Sequence, residues 1–568
     1  MHAVVAVTDT LKIALAQVNP TVGDIAGNAA LIKAARAEAA RRGADLVVFP
    51  ELVLSGYPPE DLVYRHAFLD AVDGALKDLA ALTADGGPAM LVGAPWRDPA
   101  QKAPAERQAR NAVLLLDGGR IASYRFKHHL PNYGVFDEYR VFAAGDVPGP
   151  MVFKDVRLGV MICEDMWFED VAETLSESGA EMLIVPNGSP FEVDKGDARL
   201  NHAVARITET GLPLIYVNQV GGQDDLIFDG GSFVLNGDRS LAVQAPSWAS
   251  DIRITRWARN GKTWHCAAEA PAATLDRCEN IYQALVLGLR DYVGKNKFPG
   301  VVLGLSGGID SALAAAIAAD ALGPDKVHCV MMPSPYTSRD SLEDAAEVAR
   351  LLGVKLDTVD IGPAMKTFDG MLAPLFAGAS PDITEENLQS RARGLTLMAL
   401  SNKFGKMVLS TGNKSEMSTG YATLYGDMCG GYAVLKDVYK TTVFAVCRWR
   451  NAHKPAGALG PDGAVMPERV ITKPPTAELK PNQTDQDTLP PYEVLDGILK
   501  GLIEDQEGIA GVAARGYDAA TVRRVYKMLT RAEYKRRQAP PGVKITHLAF
   551  GRDYRYPITN GFEDKGGK

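Results

Sequence analysis

Long apolar runs are missing from this chain. A bilayer-spanning helix needs roughly 18 to 20 consecutive apolar residues, and no stretch reaches that length, so no membrane span is expected. The most apolar candidate, Ala312 to Ala321, is short and reads instead as a buried helix. Long basic runs are also missing: the formal net charge is -8 and no basic run is longer than a few residues. Nucleic acid is therefore not an expected partner, because phosphate backbones are held by concentrated Lys and Arg. The six cysteines, Cys163, Cys266, Cys278, Cys329, Cys429 and Cys447, contain no Cys-x-x-Cys pair and no Cys/His group at zinc-ligand spacing. Cysteines scattered in this way suit a reducing compartment. The first ten residues lack a basic segment ahead of an apolar core, so a secretory signal is not expected and a cytoplasmic location is.

What is present is an ordinary globular balance, 46 % hydrophobic and 23 % charged over 568 residues, enough for two large cores. Short apolar runs alternate with helical patterns from the start: a strand over Leu11 to Val18, an Ala-rich helix over Asn28 to Arg42, strands at Ala44 to Phe49 and Met90 to Ala94. Asp117-Gly118-Gly119 predicts a hairpin turn, since its glycines accept positive φ. Further strands are expected at Arg157 to Ile162, Glu181 to Val185 and Leu214 to Asn218, giving a layered α/β unit with mixed sheets. The small-residue segment between Cys266 and Leu275 marks a boundary. The expected division is 1–268, a linker over 269–280, a second domain over 281–560, and a disordered tail over 561–568. In the second domain, Val301 to Leu305 and Val327 to Met332 each precede a helical pattern, the mark of a doubly wound parallel sheet. Two Pro/Gly/Asp-rich stretches interrupt it, and the second, Thr472 to Tyr492, reads equally as a substrate cover or as a passive surface loop.

Gly304-Leu305-Ser306-Gly307-Gly308-Ile309-Asp310-Ser311 joins a strand to the Ala-rich helix. Glycines allow close backbone approach to an anion, and the helix start offers free N–H groups. Ser306 and Ser311 add hydroxyls, and Asp310 can hold the magnesium that accompanies a polyphosphate. Gly-Lys-Ser/Thr is absent, so this is not a Walker A loop. The segment also satisfies Gly-x-Ser-x-Gly, the nucleophile elbow of hydrolases, with His547 downstream as a possible partner. Gly308, Asp310 and Ser311 have no purpose in an elbow, and the Ser-Gly-Gly-x-Asp-Ser pattern resembles the ATP pyrophosphatase superfamily.

Glu386 to Arg393, Ser410 to Glu416, Gly420 to Asp427, Lys473 to Leu479 and Tyr534 to Arg537 resemble NAD synthetases, in that family's order. The resemblance implies a Rossmann-like domain whose Gly304–Ser311 loop, Thr411, Lys440 and Thr476 contact ATP. It assigns magnesium to Asp310 and Glu416, and the dinucleotide deamido-NAD to Asn387, Glu416 and Lys535. Adenylation of the deamido-NAD carboxylate and attack by ammonia would then yield NAD, AMP and pyrophosphate.

The N-terminal half holds Glu51, Lys127 and Cys163, each at the end of an apolar run. Any one of them alone reads as structural. Together, in this order, they resemble the Glu-Lys-Cys triad of the nitrilase superfamily, which implies an α-β-β-α sandwich over roughly residues 11 to 260. Glu51 would take the thiol proton, Lys127 would stabilise the oxyanion, and Cys163 would attack the glutamine carboxamide. Glu138 matches a second acid that supports the lysine. Tyr133, Ser189 and Lys195 would hold the amino and carboxylate groups of glutamine. His128 and His129 invite comparison with a Cys-His pair, but their adjacency to Lys127 favours neighbours of the site over bases.

The combined resemblance is to glutamine-dependent NAD synthetases, with glutamine, ATP and deamido-NAD as substrates and a homo-oligomer, an octamer among its forms, as the assembly. Two alternatives stay open on the residues alone: amidation of a different acid, or a plain C–N hydrolase carrying a non-catalytic partner domain.

Overall fold

The computed structural model describes residues 9–98 and 109–566, apart from 194, 262 and 482. Residues 1–8, read above for a signal, and the last two of the expected tail lie outside the described residues. Two compact units form, one ending at Thr274 and the other beginning at Leu275, with the short turn Asp224–Leu226 grouped with the second.

The first unit is built on two large mixed sheets. Seven strands run in the order Thr263–Cys266, Asp251–Asn260, Thr10–Gln17, Leu46–Val48, Ala89–Trp96, Arg110–Asp117 and Arg120–Phe126. Six more run in the order Leu241–Gln244, Phe233–Leu235, Leu214–Asn218, Met182–Asn187, Val156–Val160 and Met151–Phe153. The centre of each sheet is parallel and its edges antiparallel. Alternation along a strand sends successive side chains to opposite faces. In the first strand, Leu11, Ile13 and Leu15 enter the core shared by the two sheets, where they meet Leu158, Val160, Ile184 and Val217. Ala14 and Ala16 point the other way, against Ile32 and Ala35 of helix Ile25–Arg41 and Val72 and Leu76 of helix His66–Leu82. Helices Glu169–Glu177 and Lys195–Thr210 cover the outer face of the second sheet through Val171, Leu175, Ala203 and Ile207. Burial on both faces explains why these strands read as unbroken apolar runs. The layers are those of the nitrilase-like α-β-β-α sandwich. The expected hairpin is present, with Gly118 and Gly119 at φ +58° and +83°.

The second unit carries a five-stranded sheet ordered Lys355–Thr358, Val327–Met331, Val301–Gly304, Met407–Ser410 and Tyr432–Ala433, all parallel. The chain moves outward in one direction from the central strand Val301–Gly304, then returns to its other side. That reversal leaves a crevice at the carboxyl ends of Val301–Gly304 and Met407–Ser410, where doubly wound sheets bind ligands. Helix Ile309–Leu322 begins at this crevice and is buried almost all round, as its Ala-rich run predicts. Helices Tyr492–Ile503, Ile509–Ala514 and Ala519–Arg531 close a separate apolar cluster around Leu495, Leu499, Val522 and Val525. Residues 267–276 have no regular structure, and helix Arg277–Lys295 starts inside the expected linker, capped by Asp276 accepting from the Glu279 amide at 2.9 Å. In the expected tail, Asp564 accepts a hydrogen bond from the Ile509 amide at 2.6 Å. Among the described residues no helix is long and apolar enough to cross a membrane.

Candidate active sites

In the first unit, Glu51 follows strand Leu46–Val48, Lys127 follows Arg120–Phe126, and Cys163 follows Val156–Val160. All three side chains are buried. The Lys127 ammonium donates to Glu51 Oε1 at 2.7 Å and to Glu138 Oε1 at 2.8 Å. Asn111 Nδ2 donates to Glu51 Oε1 at 2.6 Å and to Glu138 Oε2 at 3.3 Å, and the Gly188 amide donates to Glu51 Oε2 at 2.9 Å. The Tyr57 hydroxyl donates to Glu138 at 2.8 Å. One lysine thus sits between two carboxylates, out of water.

Burial pushes the Glu138 carboxyl up to about 7, with Lys127 opposing the rise. Burial would lower the Lys127 pKa, but Glu138 and Glu51 overcome it and hold the ammonium well above its ordinary value. Burial, reinforced by Glu51, also raises the Cys163 thiol while Lys127 pulls it down. Cys163 therefore rests as a thiol and needs a proton acceptor to become a nucleophile. Its backbone is left-handed, φ +47°, which is uncommon for a residue with a Cβ. Asp165 braces this turn: its carboxylate accepts from the amides of Ile162 at 2.9 Å, His128 at 3.0 Å and His129 at 2.8 Å. The same side chain ties the cysteine turn to the segment after Lys127.

Tyr133 donates its hydroxyl to both oxygens of Glu164 at 3.0 Å. Lys195 Nζ lies 5.4 Å from the Phe136 ring, and that ring meets Tyr133 edge-on at 5.4 Å. Tyr133 and Lys195 therefore gather around Glu164, whose carboxyl is raised by burial and moderated by Lys127, Tyr133 and Lys195. Ser189 belongs to a neighbouring buried network. It follows Gly188, accepts from Arg199 Nε at 3.1 Å, and its amide donates to Asn218 at 3.0 Å.

In the second unit, Gly307 turns at φ +81°, and a Cβ there would sit 2.2 Å from the Ser341 carbonyl oxygen, so only glycine fits. Ser306 and Ser311 hydroxyls pair at 3.1 Å, and the Gly308 amide donates to Ser306 Oγ at 3.2 Å. Ser306 is thus engaged within the loop, whereas His547 is an exposed residue whose carbonyl accepts from Lys544. The elbow reading gains no nucleophile–histidine pair from this geometry. Asp310 stands in the first turn of helix Ile309–Leu322, accepting from Asn413 Nδ2 at 2.9 Å and from the Lys440 ammonium. Lys440 also lies 3.5 Å from Glu416 Oε1. Burial raises the Glu416 carboxyl to about 8, Asp310 adds to the rise, and Lys440 opposes it. Two half-buried carboxylates share one buried lysine here, so the cluster is short of positive charge.

The crevice is lined by Gly304 to Ser306, Gly308 to Ser311, Thr411, Glu416, Lys440 and Thr476, and also by Asp485. Thr476 donates its hydroxyl to the Gln483 carbonyl at 2.6 Å. The stretch that holds Thr476 is anchored at several points: Lys473 pairs with Asp344 at 2.7 Å, Glu478 accepts from Ser341 at 2.9 Å, and Asp485 is buried and accepts from the Tyr492 hydroxyl at 2.7 Å. Asn387 and Lys535 pack against the Gly420–Asp427 segment, whose Tyr421, Ala422, Gly426 and Asp427 also line the crevice. Asn387 accepts from Thr423 at 2.9 Å, and Lys535 donates to the carbonyls of Gly420 and Ala422 at 2.8 and 2.6 Å.

Asn111, Tyr57, Asp165, Glu164 and Asp485 were not identified from the sequence. Asn111 carried the clearest signal, a lone amide opening the apolar run Ala112 to Leu116. The others look like ordinary polar loop residues until the chain folds.

Comparisons with known proteins bear on both units. Residues 12–261 match the carbon–nitrogen hydrolase family and residues 281–539 the NAD synthase family. The chain is 51 % identical over 558 residues to a glutamine-dependent NAD(+) synthetase of Rhodobacter capsulatus, covering 98 % of this chain and 100 % of that one. The chain belongs to the glutamine-dependent NAD(+) synthetases. A second member, from Thermotoga maritima, is 42 % identical over 98 % of this chain and 99 % of its own. The solved Acinetobacter baumannii glutamine-dependent NAD+ synthetase, determined with ADP, superimposes with a TM-score of 0.77 at 43 % identity, covering 98 % of this chain and 100 % of that one. Members of the family are carbon–nitrogen ligases with ATP as co-substrate.

Proposed function

We propose that the first unit hydrolyses glutamine at Cys163 and that the second uses the ammonia to amidate deamido-NAD at the expense of ATP. The observation that carries this reading is the joint presence, in one chain, of the Glu51–Lys127–Cys163 cluster and the Asp310–Glu416–Lys440 cluster beside a phosphate-type loop. In the first site Glu51 accepts the Cys163 proton, and the sulfur attacks the carboxamide carbon. Lys127, fixed by Glu51 and Glu138, donates to the tetrahedral oxyanion. The proton passes to the leaving nitrogen, ammonia departs, and a water activated by Glu51 opens the thioester to glutamate. Tyr133, Ser189 and Lys195 orient the glutamine head group.

In the second site the Gly304–Ser311 loop receives the ATP phosphates, with Thr411 and Thr476 holding the nucleotide. Asp310 and Glu416 fit magnesium, since two half-buried carboxylates there share a single lysine. When bound, magnesium neutralises the charge that builds on the departing pyrophosphate. Lys440 supplies fixed positive charge to the same phosphates. Asn387, Glu416 and Lys535 position deamido-NAD so that its carboxylate attacks the α-phosphorus and pyrophosphate leaves. Ammonia then attacks the mixed anhydride, and AMP departs as NAD forms. Free ammonia is protonated in bulk water and loses its nucleophilic lone pair, so the coupling calls for transfer shielded from solvent. A cytoplasmic homo-oligomer accords with this reading.

The test is purified enzyme with ATP, magnesium, deamido-NAD and glutamine, following NAD and glutamate together. NAD formation that requires deamido-NAD, with close to one NAD per glutamate, is expected. ATP–pyrophosphate exchange indifferent to deamido-NAD would overturn the substrate assignment.

A further inference from the structure

His128 and His129 take no part in the chemistry above, yet their rings are held in a specific arrangement. Consecutive residues in an extended chain send their side chains to opposite sides. Here both backbone amides are hung on one oxygen of Asp165, at 3.0 and 2.8 Å, so the segment bends and the two rings meet edge-on, 4.6 Å between centroids. Asp170, in the first turn of helix Glu169–Glu177, faces both of them.

The donor atoms are already sorted. His128 Nδ1 lies 2.8 Å from the Gly145 carbonyl oxygen, which can only accept, so that nitrogen carries the proton and Nε2 offers its lone pair. This is the outer hydrogen bond that sets the tautomer of a metal-binding histidine. His128 Nε2 lies 3.9 Å from Asp170 Oδ2, and His129 Nε2 lies 2.9 Å from Oδ1. One ligand atom from each of the three residues falls within a 4.8 Å span. Metal–ligand bonds of about 2.0–2.1 Å set neighbouring ligand atoms of a tetrahedral site about 3.3–3.4 Å apart, between the two observed separations. Phe168 stacks on the His129 ring at 4.1 Å and limits its rotation. The side chains are 28 %, 23 % and 47 % exposed, which leaves the ion a path from solvent and room for a fourth, water ligand.

We propose that His128, His129 and Asp170 bind a divalent transition cation of the zinc class. Two imidazoles and one carboxylate suit such an ion better than magnesium, which prefers oxygen ligands. Binding replaces the His129–Asp170 hydrogen bond: the ring proton of His129 moves from Nε2 to Nδ1, and Nε2 and the carboxylate turn to the metal. Because the site adjoins Lys127 and shares Asp165 with the Cys163 turn, the ion cross-links the lysine segment to helix Glu169–Glu177.

The test uses the full-length enzyme with saturating magnesium, which occupies the oxygen-ligand cluster, in the Cys163→Ala background so that the thiol does not bind zinc. Equilibrium dialysis at pH 7.5 is expected to show one zinc per chain. His129→Ala and, separately, Asp170→Asn are each expected to weaken that binding by about tenfold or more. Cobalt should give visible d–d bands in the parent and lose them in both variants. Asp170 is half exposed, so its conservative replacement keeps the test valid should His129→Ala fail to fold. Zinc stoichiometry and affinity unchanged in both variants, or cobalt without visible bands in the parent, would mean that these residues make a histidine–aspartate hydrogen bond only.

Discussion

Replacing Glu138 by Gln separates two effects of the buried charge cluster. Glu51, Lys127 and Glu138 together carry one net negative charge when both carboxyls are ionised, and burial has already pushed Glu138 up to about 7. The amide keeps an oxygen for the Tyr57 hydroxyl but removes the charge that steadies Lys127 on that side. Hydrogen bonds to charged groups are worth about 1.5–3 kcal/mol, so unfolding of the first unit should ease by that order while Lys127 keeps its bond to Glu51. Loss of a well-placed oxyanion donor costs about 10²–10³ in kcat, and a loosened Lys127 should approach the lower end of that range in glutamine-driven NAD formation. The thiol should respond oppositely. Glu138 is one of the charges that raise Cys163, so its removal lowers the pKa and shifts the iodoacetamide alkylation profile to lower pH. Ammonium-driven NAD formation should stay within about twofold of the parent, because the synthetase residues are untouched. A variant with unchanged glutamine-driven activity, or with both nitrogen sources failing equally, would refute the assignment of Glu138 as the brace of Lys127.

Cys163→Ala should abolish glutamine-driven NAD formation and spare the ammonium-driven reaction; loss of both would sink the division of labour. Asp310→Ala should abolish NAD formation from either nitrogen source, measured beside glutamate release, and NAD made at parental rate would remove the loop from the reaction. Gly307→Ala forces a Cβ to within 2.2 Å of a backbone oxygen at a left-handed φ, so ATP-dependent activity should fall at least about tenfold while glutaminase remains. Glu416 is raised to about 8 in the protein alone, so near pH 7 magnesium must displace its proton. The apparent magnesium affinity should therefore weaken as pH falls below about 8, by up to about tenfold per unit. Calorimetry in two buffers of different ionisation enthalpy should show proton release near pH 7, and an affinity flat from pH 6 to 9 would contradict it.

The chain's own order of residues determined the fold class, because strands buried on both faces need unbroken apolar runs and helices need their 3.6-residue stripe. It also marked the phosphate-type loop, since two glycines, two hydroxyls and an acid between a strand and a helix have few other uses. Hairpin Asp117–Gly119 was readable for the same local reason, positive φ at glycine. Partnership across the chain was not readable. Asn111 and Tyr57 reach the carboxylates that flank Lys127 only because separate strands and loops end at the same place, 81 residues apart for Tyr57 and Glu138. Asp165 brings His128 and His129 to one side through backbone hydrogen bonds that leave no trace in residue order. Local propensity and periodicity act over a few residues and are written in sequence. Burial, charge sharing and the resulting pKa shifts depend on which distant groups exclude water together, and the tertiary structure alone decided those.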